Sequence, residues 1–150
     1  MTLERCQKVL EFQGYAYQEV FTARERAFYK KACELVACVP YEWDGSPVRC
    51  HELVRAVARF TDLTYTDGYY GMCEHSWLWL KPLEELSSLP RILDVYTPGR
   101  IPQVQLVDPS THLPFEYRRG PPRDDIKDYM VTELAHMMRE SRKALKPSGV

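Results

Sequence analysis

Apolar residues recur at helical spacing in four stretches of the chain, and shorter apolar or alternating runs lie between the third and the fourth. Leu3, Cys6, Val9 and Leu10 predict a helix from Thr2 to about Gln13, stopped by Gly14. Phe21, Phe28, Cys33, Leu35 and Val36 predict a second from Phe21 to Cys38, with Pro40 just past its end. A third opens at Cys50, after the turn-rich run Asp44-Gly45-Ser46-Pro47, and runs to about Thr61 with Leu53, Val54, Val57 and Phe60 on its buried face. The last runs from about Arg123 to Leu145 on Ile126, Met130, Leu134, Met137 and Leu145, with Asp124 and Asp125 in the first turn, where the helix dipole favours negative charge.

After Asp62 the period changes. Leu63-Thr64-Tyr65-Thr66 is β-rich, Asp67-Gly68 reads as a turn or bulge, and Tyr69-Tyr70 resumes the strand. His75 to Leu80 is apolar on both faces, the mark of a central strand, and ends before Pro82. Ile92 to Tyr96 is another strand, stopped by Pro98-Gly99. Ile101 to Val107 alternates in part, and Pro102 places its start at a sheet edge. Pro40 to Pro47, with Tyr41 and Trp43, reads as an aromatic loop, and Ser110 to Pro122 as a second loop; Lys146 to Val150 reads as a frayed end. The expectation is one α+β domain over residues 1–150, with three or four antiparallel strands between N-terminal helices and a C-terminal amphipathic helix.

At 150 residues the chain can bury one continuous core. A net charge of −1 argues against a polyanion partner, so nucleic acid is not expected. No apolar run approaches a membrane span and the N-terminus lacks the pattern of a signal peptide, so a cytoplasmic protein without membrane association is expected. Five cysteines, an odd number without framework spacing, suit a reducing compartment and free thiols.

Three residues carry candidate chemistry. Cys50 falls at a predicted helix start, where unpaired N–H groups and the positive end of the dipole favour a thiolate and can face the oxygen of a tetrahedral intermediate. His75 shares a strand face with Trp77 and Trp79, and a water-poor setting of that kind disfavours an isolated imidazolium unless a thiolate or carboxylate stands beside it. Asp94 lies between Leu93 and Val95, and an aspartate in an apolar strand requires a partner. A histidine on a neighbouring strand would supply one, and the carboxylate would fix the ring's tautomer.

The order of helix-start Cys50, then His75-Ser76-Trp77, then Ile92-Leu93-Asp94-Val95-Tyr96-Thr97-Pro98 resembles the core of the transglutaminase-like superfamily, within the wider papain-like fold. The match covers roughly residues 47 to 98. It implies Cys50 as nucleophile, His75 as general base and acid, and Asp94 as orienter, with no cofactor. Val48-Arg49 before the cysteine and His51 after it depart from the small residues common there. An oxyanion-hole side chain in such folds often comes from an aromatic ahead of the cysteine, and nothing in the spacing chooses between Tyr41 and Trp43. The implied reaction is acyl transfer at amide bonds of a protein or peptide substrate, of protease, deamidase or transglutaminase type. Arg100 and Arg118-Arg119 are clusters that an acidic substrate would suit, although on a near-neutral surface they read first as solvated.

Two other readings compete. Cys50, His51, Cys73 and His75 are zinc-ligand types, but Cys50 and His51 at a helix start are expected to diverge by about 100°, and no Cys-x-x-Cys knuckle is present. Alternatively, the same fold serves as a catalytically idle binding domain, with the aromatics of Tyr41-Trp43 and Tyr65-Tyr70 gripping a protein.

Overall fold

The structure is a computed structural model, and it describes residues 21–80, 91–97, 101–108 and 117–145. The predicted helix of Thr2 to Gln13, the stops at Pro82 and Pro98-Gly99, Arg100 and the tail from Lys146 lie outside these residues.

The described chain is α+β. Helix α1 (Ala23–Val36) starts two residues later than the pattern suggested, because Thr22 and Glu25 form a capping box: each side chain accepts from the other's backbone N–H. Its buried stripe centres on Tyr29, Ala32, Cys33, Leu35 and Val36. The aromatic loop that follows is a small hairpin of β1 (Glu42–Trp43) and β2 (Ser46–Pro47), turned by Asp44 and Gly45, both at positive φ. Helix α2 (Cys50–Thr61) buries Leu53, Val54, Ala56 and Val57, and Asp62 ends it in the left-handed conformation.

Strands β3 (Tyr65–Tyr70), β4 (Cys73–Trp79), β5 (Ile92–Thr97), β6 (Ile101–Val107) and β7 (Tyr117–Arg119) form one antiparallel sheet in the order β6-β5-β4-β3-β7. Five strands therefore replace the expected three or four. The additional one is β7, read from sequence as loop: it is short, two of its residues are exposed arginines, and it pairs only with β3, as edge strands do. Asp67-Gly68 is not a turn either. It continues β3, and the reversal falls instead at Gly71, which has φ of 58°. Gly68 is needed for close approach: a Cβ there would overlap the Arg118 carbonyl and lie 2.8 Å from the Trp77 ring. As expected, β4 is central and β6, with Pro102, is an edge.

Helix α3 (Asp128–Leu145) begins later than Arg123. The preceding residues are pinned in a non-helical path, since Arg123 N–H donates to Asp67 and its side chain reaches Glu74 and Asp125.

The two sheet faces differ. Leu78, Leu80, Leu93, Val95, Val104 and Leu106 face the three helices in the main core. Trp77, Trp79, Ile92 and Val107 form a second cluster on the other face, with Tyr117 packed on it. One sheet thus carries an aliphatic, helix-covered side and an aromatic side, and alternation along β4 assigns His75 to the aromatic side and Ser76 to the helical one.

Candidate active site

Pairing between β4 and β5 is confined to Leu78↔Leu93 and Trp79↔Ile92. Toward His75 the two strands no longer pair, and the start of α2 meets β4 there. A helix on one face can approach a residue of the opposite face only where the sheet is interrupted, and Cys50 does so: its thiol comes within electrostatic reach of the His75 imidazole. Cys50 is 6% exposed and His75 4%.

His75 Nε2 lies 2.8 Å from Asp94 Oδ2, which leaves Nδ1 as the ring nitrogen not engaged by the carboxylate. Asp94 is fully buried and fully satisfied: Tyr117 donates its hydroxyl to Oδ2 at 2.8 Å, and the Tyr96 N–H donates to Oδ1 at 3.0 Å. This answers the requirement its sequence context imposed. The ring of His75 stacks on Trp77 at 6.1 Å between centroids, with Tyr70 and Tyr117 at 6.2 and 6.3 Å. Burial in this cage opposes the imidazolium, yet the Asp94 carboxylate and the Cys50 sulfur outweigh it and raise the His75 pKa to about 10. For Cys50, burial pushes the thiol up, but hydrogen bonds to His51 and His75 and their charges bring it down to about 7. Burial, the Asp94 charge and its hydrogen bond raise the Tyr117 hydroxyl far above the usual phenol range, so it stays a donor.

The helix start has a further property. Arg49 is the N-cap residue and makes no side-chain cap, because its guanidinium turns to Glu52 at 2.6 Å and to Asp125 at 3.0 Å. The first-turn N–H groups of α2 are therefore without a side-chain acceptor beside the thiol, an arrangement suited to a developing oxyanion. Tyr41 is exposed, and Trp43 packs on the core.

Sequence reasoning missed four groups here. His51 was expected to diverge from Cys50, but its Nδ1 lies 3.5 Å and its Nε2 3.9 Å from the sulfur. The ideal helical angle separates Cβ directions, and in the first turn both side chains still reach the same opening in the sheet. His51 Nδ1 is 2.7 Å from Ser76 Oγ, and Ser76 donates to Asp67 Oδ1 at 2.6 Å. Asp67 is clamped by Arg55 at 3.0 and 2.7 Å. Burial opposes the Asp67 charge, but Arg55, Ser76 and the Arg123 N–H hold its pKa down to about 2. The fourth, Tyr117, sits in the segment read as loop. A serine on the helix-facing side of an apolar strand was the one available signal.

Comparison with known proteins adds nothing to this. No family model, no curated protein and no solved structure matches the chain. Its chemistry therefore rests on the geometry. Of the four zinc-ligand types, Cys50, His51 and His75 converge while Cys73 is exposed, and no three or more His, Cys, Asp or Glu among the described residues are grouped as a metal site. A cavity of about 260 Å³ opens nearby, lined by Asp67, Tyr69, Glu74, Pro122, Arg123 and Asp125 among others. The ion pairs of Arg123 with Glu74 and Asp125, and of Asp125 with Arg49, connect its rim to the residue before Cys50.

Proposed function

We propose that the chain is a thiol enzyme that transfers acyl groups from amide bonds through a thioester on Cys50. The observation that carries this reading is the 2.8 Å contact of His75 with buried Asp94, with the thiol at the start of α2 near enough to the same ring for each to shift the other's pKa. It is also the trio that the resemblance to transglutaminase-like enzymes implies. In the first half-reaction the Cys50 thiolate attacks the amide carbonyl, the His75 imidazolium gives its proton to the departing amine, and the uncapped N–H groups of α2 take the oxyanion. Asp94 holds the ring's orientation and charge throughout. Water as acceptor then gives a protease or deamidase, and an amine gives a transglutaminase.

A protein or peptide is the substrate class this chemistry fits. Among the described residues Cys38, Cys50 and Cys73 are in no disulfide, which suits the cytoplasm. No helix among the described residues is long and apolar enough to cross a membrane.

The test is alkylation with iodoacetamide across pH. One thiol is expected to react with an inflection near 7 and to vanish in Cys50→Ala. Uniformly slow thiols, inflecting where free cysteine does, would remove the nucleophile and favour a binding domain of the same shape. Trapping with Cys50→Ser, followed by mass spectrometry of the retained peptide, then identifies the acyl donor.

A further inference from the structure

Cys50 has a second imidazole beside it, and the proton directions around that ring are fixed. The Asp67 carboxylate, paired with Arg55 and receiving the Arg123 N–H, can only accept hydrogen bonds. Ser76 therefore spends its single proton on Asp67 and presents a lone pair to His51. His51 in turn carries its proton on Nδ1, donated to Ser76 at 2.7 Å, and keeps a lone pair on Nε2, 3.9 Å from the Cys50 sulfur. His51 is 5% exposed and Ser76 is fully buried, so bulk water does not supply these partners. The other groups that bear on the ring are Glu74 on β4, whose carboxylate lies within electrostatic reach of it, and Arg55, which donates to the His51 carbonyl at 2.9 Å. Where Asp94 contacts His75 directly, a neutral hydroxyl separates His51 from its carboxylate and fixes the orientation of the ring.

We propose that His51 is a second catalytic histidine, the general base that activates the acyl acceptor in the half-reaction that breaks the Cys50 thioester. The proposal rests on the thiol-enzyme reading above. In acylation the C–S bond forms, the C–N bond breaks, and His75 leaves that step neutral after protonating the amine. His51 Nε2 then removes a proton from water, the oxygen attacks the thioester carbonyl, and the C–S bond breaks to release the carboxylic acid and restore the thiolate. The proton gained by His51 crosses the sulfur to His75, which returns both rings to their starting states.

The experiment uses p-nitrophenyl acetate as acyl donor, at an alkaline pH where the thiol is ionised in every protein compared. Nitrophenol release reports both phases, and intact-mass spectrometry reports acetyl on Cys50. His51→Asn keeps a donor toward Ser76 and deletes the Nε2 lone pair. It is expected to show a nitrophenol burst, then steady turnover about 100-fold slower than wild type, with acetyl-Cys50 accumulating. Ser76→Ala leaves the imidazole in place without its anchor, and a smaller slowing of the same phase is expected. Turnover of His51→Asn at the wild-type rate, or loss of its burst, would overturn the assignment. Failure of the wild-type protein to acetylate on Cys50 would instead sink the thiol-enzyme reading, and this inference with it.

Discussion

His75 and His51 both act on the Cys50 thiol, both are buried, and they differ chiefly in what holds them. His75 meets its carboxylate directly, across a gap between unpaired strands, within an aromatic cage. His51 meets its carboxylate through a serine, on the helix-covered face, with an arginine behind. Direct contact stabilises the charged ring by Coulomb attraction as well as by hydrogen bonding, while an interposed hydroxyl transmits mainly orientation. One strand, β4, therefore carries His75 on one face and, on the other, the Ser76 that holds His51, because alternate residues face opposite sides. What distinguishes the two histidines is the anchor rather than burial, which is nearly equal.

The largest effect is expected from breaking the direct anchor. Asp94→Ala leaves the His75 Nε2–H, the Tyr117 hydroxyl and the Tyr96 N–H without their acceptor in a buried site, which should cost about 3–5 kcal/mol in urea denaturation. A folded-state pKa of about 10, raised above an ordinary histidine's, contributes stability that is complete below roughly 6.5 and is lost as pH rises through about 10. Wild-type stability should therefore fall on that alkaline limb, and the variant should lack it. Titration of the His75 ring by NMR gives an independent check. In the variant burial acts with less to oppose it, and the pKa should drop well below 10. An unchanged titration would mean that Asp94 does not set the ring's charge.

A smaller change is expected from the indirect anchor. Asp67 has a depressed pKa of about 2, so its contribution is complete above an ordinary aspartate's pKa, about 3.9, and is lost as pH falls through about 2. Asp67→Asn should remove about 2 kcal/mol of stability near neutral pH and flatten the acid limb of the stability profile. It should leave the inflection of Cys50 alkylation near 7, because His51 and His75 both remain beside the thiol. A large rise in that inflection would show that the two arms are one coupled unit, and the contrast between them would fail.

How much of this was legible in the sequence follows from the same contrast. Asp94 could be read because a charge in an apolar strand has no innocent explanation. The α2 start, the central β4 and the edge at Pro102 could be read because periodicity and proline position are local. Asp67 could not, since Asp-Gly is also the commonest turn signal. Here the glycine serves the approach of β7, and the aspartate is buried by Arg55, twelve positions earlier in the chain. His51 was legible only as a zinc-ligand type and Ser76 only as a polar residue in an apolar strand, and their meaning depends on the start of α2 meeting β4. β7 reads as solvated loop because an edge strand with exposed arginines has a loop's composition; its Tyr117 gains a role only when it reaches Asp94.

The smallest predicted effect separates charge from packing within the direct anchor. Tyr117→Phe keeps the ring against Trp77 and Tyr70, at 5.3 and 4.9 Å, and removes only the hydroxyl that donates to Asp94 at 2.8 Å. Asp94 retains His75 and the Tyr96 N–H, so the loss should be about 1–2 kcal/mol in thermal or urea unfolding. A carboxylate with one donor fewer is a better acceptor for the donors that remain, so the His75 pKa should hold at about 10 or rise, while stability falls. In Asp94→Ala both quantities fall together. Opposite movement in Tyr117→Phe would therefore place the tyrosine as a brace for the carboxylate, whereas a joint fall would mean that its hydroxyl holds the His75–Asp94 geometry itself.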